Sequence, residues 1–173
     1  MRYVSVISTV VAALAFAATA SAGSVEDKTH VTGGGAESSD VTVAIDISEK
    51  AFHITKGGTE RGITLMAGMP TVIQLRNRDL VAHEFVSTLF RDVPFRISGN
   101  ATLVKAARAS GVRVDPGQTV TLEFNAPMGK ADQYGTVESM YDVFWCNVHG
   151  KEHGQKMRGE LVDVETSGDF SGG

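Results

Sequence analysis

The chain has 173 residues, 20 of them acidic and 16 basic, for a formal net charge of −4. That length suits a single domain with short appendages, and the acidic balance gives no general case for nucleic-acid binding. A single cysteine, Cys146, excludes an internal disulfide.

Arg2 opens the chain with a positive charge, Val4 to Ala18 is mostly apolar, and Ala20-Ser21-Ala22 gives a small-x-small cleavage pattern. Residues 1–22 therefore read as a secretory signal peptide. The apolar run is too short and Ala-rich for a membrane span, so no span is expected after cleavage and a periplasmic location is. Residues 23–40 are polar and Gly/Ser-rich, including Gly33-Gly34-Gly35, and read as a flexible linker. His30 within it reads as solvated. Residues 166–173 read as an equally loose tail.

From 41 to 165 the dominant period is two. Val41, Val43, Ile45 and Ile47 alternate with small or polar residues, the pattern of a half-buried strand. Further strands are expected over Ala51 to Thr55, Ile63 to Met66, Thr71 to Arg76, His83 to Ser87, Val112 to Val114, Val120 to Phe124, Tyr141 to Cys146 and Glu160 to Val164. Gly57-Gly58, Gly68-Met69-Pro70, Asp115-Pro116-Gly117 and Ala126-Pro127 supply turns between them. Short strands so punctuated imply an all-β fold, an antiparallel β-sandwich. Leu89 to Gly111 interrupts the pattern, and Asn100 followed by Ala101 to Ala109 reads as a capped short helix closed by Gly111. Asn125 to Ser139 reads as a long polar loop.

The chemistry is concentrated near the end, where His149, His153 and Met157 lie three, seven and eleven residues beyond Cys146. Thiolate, imidazole and thioether together are the soft donor set that selects copper. Export sharpens the point, because a free thiol in an oxidising compartment is prone to oxidation and metal ligation protects it. A rigid site needs a donor from a second element, and His83, opening a strand after the Asn77 to Ala82 turn, is the best placed. His53 has no such context and reads as structural or exposed.

Gly68 to Asn77, His83-Glu84-Phe85, Asp115 to Thr119 and the Cys/His/Met loop before Gly159 together resemble a cupredoxin, from about Val41 to Val164. The resemblance implies a Greek-key β-sandwich with a short helical insertion and copper at one end. One histidine would come from the His83 strand and the other ligands from the last loop. The loop departs from the common patterns. His149 matches the plastocyanin-like Cys–His spacing but leaves Met157 too far on, whereas His153 to Gly159 resembles the azurin-like end of the loop. On that match His153, rather than His149, is expected to be the indispensable loop imidazole. The Cys146–Met157 span matches the dinuclear CuA domain, yet one thiolate does not make its two-sulfur bridge. The pattern is also similar to the red-copper nitrosocyanins, which use a carboxylate as well, making Glu84 a candidate ligand; beside His83 it reads better as a supporting or surface group.

The candidate metal ligands are thus His83, Cys146, His149, His153 and Met157, for one copper per chain. The expected function is one-electron transport without enzymatic activity, since no Ser/His/Asp arrangement, phosphate loop or paired-carboxylate motif stands out. Copper binding, storage or delivery, or a red-copper protein with an open coordination site, is the alternative. A redox partner, acidic in character, is expected to dock on the insertion from Leu89 to Arg113, where Arg91, Arg96, Lys105, Arg108 and Arg113 face one acid, Asp92.

Overall fold

Alternation of buried and exposed side chains runs through the computed structural model, which describes residues 25–27, 40–129, 139–149 and 154–164. The strands are β1 (Val25–Asp27), β2 (Val43–Ser48), β3 (Ala51–Lys56), β4 (Gly62–Met66), β5 (Pro70–Asn77) and β6 (His83–Ser87). A four-residue helix, α1 (Leu89–Asp92), follows, and then β7 (Arg96–Gly99), β8 (Thr102–Lys105), β9 (Ser110–Val114), β10 (Thr119–Asn125), β11 (Tyr141–Trp145) and β12 (Arg158–Val164). They form a seven-stranded sheet, β1-β8-β9-β6-β11-β12-β4, and a five-stranded sheet, β3-β2-β5-β10-β7. The chain passes repeatedly from one sheet to the other, as a Greek-key sandwich requires. No described helix is long and apolar enough to cross a membrane.

The core lies between the sheets. Val43, Ile45 and Ile47 of β2 are buried while their neighbours are half-exposed. Phe85 of β6 and Phe144 of β11 meet with ring centroids 4.9 Å apart, and Phe52 of β3 packs against both, at 5.8 and 5.4 Å in edge contacts. Burying each such ring stabilises the fold by about 1.5–3 kcal/mol, with roughly 0.5–1.5 kcal/mol more from favourable ring pairing. Phe85 is two residues after His83 and Phe144 two before Cys146. The strand period therefore sends His83 and Cys146 to the same inward side as these anchors.

Two sequence expectations are corrected. The helix expected from Asn100 to Gly111 is a hairpin: β8 and β9 pair antiparallel, and the Ala106 N–H donates to the Ala109 carbonyl in the turn between them. Helix propensity here yields to pairing with β6, which buries Val104, Val112 and Val114. Gly111 closes no helix. It lets β9 approach β6, for a β-carbon built there would lie 2.0 Å from the Phe85 carbonyl oxygen. The short helix of the insertion is α1 instead. Nor is the sandwich purely antiparallel, since β2 pairs parallel to β5 and β4 parallel to β12; only hairpin neighbours are bound to run antiparallel. Within the segment read as a flexible linker, Val25–Asp27 pairs with β8 as an edge strand.

Candidate metal site

Three donor-bearing side chains converge at one pole of the sandwich, where β6 begins and β11 ends. The Nδ1 atoms of His83 and His149 are 3.1 Å apart, and Cys146 Sγ lies 4.0 Å from the first and 3.8 Å from the second. The point equidistant from three atoms so spaced is about 2.1 Å from each, matching metal–imidazole bonds of about 2.0–2.1 Å and metal–thiolate bonds of about 2.3 Å. The donors thus fit a soft metal ion, and no such ion has to push them apart.

Two of the donors are held from behind. His83 is fully buried, and its Nε2 is 2.8 Å from Asp79 Oδ2. With Nε2–H donating to the carboxylate, Nδ1 carries the lone pair and faces Cys146 and His149, the tautomer a ligand needs. Asp79 accepts two further hydrogen bonds, from the Glu49 and Lys50 amides at 2.8 and 2.9 Å. Both turn residues have positive φ, 54° and 52°. For residues with a β-carbon that conformation costs about 1–2 kcal/mol each, so the carboxylate both satisfies this turn and orients the ligand. Burial pushes the Asp79 pKa up, but the two amides and the His83 imidazole outweigh it and hold the carboxyl below its usual value. Asn77 fixes the loop itself. Its Nδ2 donates to the Val81 and Val114 carbonyls at 2.8 and 2.9 Å, and its Oδ1 accepts the Asp79 N–H.

Cys146 is fully buried, and its sulfur accepts the Glu84 N–H at 3.4 Å. Burial pushes its thiol pKa up, against the Glu84, His149 and Val148 amides, which lower it. The Cys146 N–H donates to the Met157 carbonyl at 2.9 Å. That bond brings Met157, the last residue of a 3₁₀ turn (Gly154–Met157), alongside Cys146, and the Met157 side chain is buried in the core.

The structure therefore brings His83, Cys146 and His149 together with Met157 beside them, while His153 lies outside the described residues, as does His30. Glu84 enters through its amide, and its carboxylate is not among the converging donors. His53 is exposed and has its Nε2 by the Ser48 carbonyl. Asp79 and Asn77 were not anticipated from sequence; the signal available was an Asn-x-Asp turn immediately ahead of a candidate ligand.

No family model matches the chain, and no curated protein matches it in sequence. Among solved structures, a reduced mutant form of amicyanin is similar over 74% of this chain and 87% of its own, at 16% identity and TM-score 0.41. A Cu(I) mutant form of amicyanin gives 17% identity over the same shares at TM-score 0.41. The multicopper oxidase McoA from Aquifex aeolicus is similar over 78% of this chain and 31% of its own, at 13% identity and TM-score 0.47. The described residues thus form a sandwich of two mixed sheets, with histidine and cysteine donors gathered where β6 begins and β11 ends.

Proposed function

We propose that the protein is an exported one-electron carrier of the periplasm, with one redox copper per chain held by His83, Cys146 and His149 and by Met157 as a weak thioether. The observation that carries this reading is the donor triangle, whose centre lies at metal-bond distance from two imidazoles and a thiolate. Bound there, copper would exchange single electrons between its cuprous and cupric states. The chain's part is to keep the donors from moving as it does so. His83, at the start of β6, and Cys146, just past the end of β11, are both buried, and Asp79, the Glu84 amide and the Met157 carbonyl fix them from outside the triangle.

His149 is half-buried, and around this pole Leu80 is 94% and Val148 49% exposed. An apolar rim beside a ligand offers a partner a contact surface that brings it within reach of the metal. The basic insertion would steer an acidic partner toward that contact. Copper storage or delivery is the competing reading and calls for ready metal release; full burial of two of the three donors favours retention.

Copper-loaded protein should show an intense visible thiolate-to-copper absorption, and it should cycle between oxidation states without losing metal to a chelator. Cys146→Ser should abolish the band. A coloured serine variant, or copper loss on every cycle, would refute the assignment.

A further inference from the structure

The chain has six methionines. Met1 opens it and Met157 belongs to the metal pole. The other four, Met66, Met69, Met128 and Met140, converge on the opposite pole. β12 leaves Met157 and runs parallel to β4, so that its last residue, Val164, pairs with Met66. β11 runs from just after Met140 to just before Cys146, about 20 Å at the rise of an extended strand.

Three of these thioethers are in solvent. Met66 is 44%, Met69 51% and Met128 65% exposed, whereas Met140 packs against the core. Methionine is ordinarily among the buried residue types. The three are also held in one place. The Met69 N–H donates to the Met66 carbonyl at 3.0 Å, closing a turn whose ends lie within about 7 Å of each other. The Gly68 N–H donates to the Ala126 carbonyl and the Ala126 N–H to the Met69 carbonyl, at 3.0 and 2.9 Å, clamping this turn to the segment that leads to Met128. Gly68 has φ 70°, and a β-carbon built on it would lie 2.5 Å from Met128 Sδ. Met128 sulfur therefore rests directly over the turn that carries the other two.

We propose that Met66, Met69 and Met128 form a second metal site, specific for the cuprous ion. Thioethers are neutral, soft and polarisable, so they favour Cu(I) and give little stabilisation to Cu(II). They also have no proton to lose, which makes uptake here insensitive to pH, whereas the Cys146 site must release the thiol proton to bind. The site is independent of the electron-carrier reading. It adds to this chain the capacity to take a cuprous ion at the pole away from the redox centre.

The test is an anaerobic titration with Cu(I) against a colorimetric cuprous chelator, on protein whose methionine methyl groups carry 13C. Copper-loaded protein should take one further equivalent, with equal affinity at pH 5.5 and 7.5, and only the Met66, Met69 and Met128 methyl signals should shift. A Met66→Leu/Met69→Leu/Met128→Leu variant should lose that equivalent and keep the visible band. Cys146→Ser should lose the band and keep the far equivalent, so failure of one site is read separately from failure of the other. No second equivalent in the parent protein would overturn the proposal and leave an exposed apolar patch. Retention in the leucine variant, or shifts confined to Met140 and Met157, would overturn it too.

Discussion

Asp79→Asn separates the support of His83 from the ligand itself. The carboxylate is 2.8 Å from Nε2 of a fully buried imidazole and is itself 16% exposed, so little water stands in for it when its charge is removed. A carboxylate there raises imidazole basicity and favours Cu(II) over Cu(I). Loss of such a partner typically costs 10–100-fold in metal affinity. Assigned to the cupric form alone, that is a rise of about 60–120 mV in reduction potential, at about 59 mV per tenfold for one electron. Two amide hydrogen bonds to a charged acceptor weaken as well, at about 1.5–3 kcal/mol each if lost outright. The sign of the pH dependence follows from the lowered pKa: Asp79 adds stability above its unfolded value of about 3.9, and the gain is lost as pH falls through the lower folded value. Apo Asp79→Asn should lack that acid step. Voltammetry and cupric competition would read the redox part. Lys50→Gly is the control, since glycine takes positive φ at no steric cost; it should leave the potential where it is. An unchanged potential in Asp79→Asn, or an equal shift in Lys50→Gly, would refute the reasoning.

The geometry around Cys146 leads to the expectation that His149→Ala loses most copper affinity. Retained copper and colour in that variant, read by metal content and spectrum, would favour His153, as its spacing to Met157 suggests. Gly111→Ala should destabilise the fold by more than about 3 kcal/mol, above ordinary overpacking, because the clash is with backbone on the strand that carries His83; denaturant midpoints would show it. Arg96, Lys105 and Arg108 are exposed, and reversing all three to Glu should slow oxidation of the reduced protein by hexacyanoferrate(III), an anionic probe, by about tenfold at low salt. The gap should close as salt shortens the screening length to about 8 Å and below, and equal rates at low salt would end the steering idea.

Much of the sandwich was legible because a buried face leaves a period-two trace that needs no partner to be recognised. β2, with Val43, Ile45 and Ile47, shows it plainly, and β6 is placed as expected, His83–Ser87. The trace fails where burial comes from a neighbour. Ala101 to Ala109 has helix-forming composition, and only the position of β6 makes β8 and β9 the better use of that stretch. β7 has no strong alternation, its residues being exposed or half-exposed, and it is a strand because β10 offers an edge. Parallel pairing of β4 with β12 joins residues nearly a hundred positions apart, which no local pattern encodes.

The site was legible in its donors and illegible in its support, for a physical reason. Donor chemistry resides in single side chains, so a soft thiolate near imidazoles can be recognised in one dimension. Support resides in relations, such as Asp79 receiving amides thirty and twenty-nine residues upstream and an imidazole four residues on. Those relations bear on the proposed electron transfer. Two residues with positive φ are retained at a turn where glycine would avoid the strain, and the acceptor that satisfies them is the group that aligns His83. Moving His83 would break its bond to a carboxylate that the turn amides hold in place, so the turn opposes displacement of His83 before any metal arrives. On the proposed electron-carrier reading, a pole held in this way would change little between oxidation states, and that small rearrangement is what a carrier of single electrons needs.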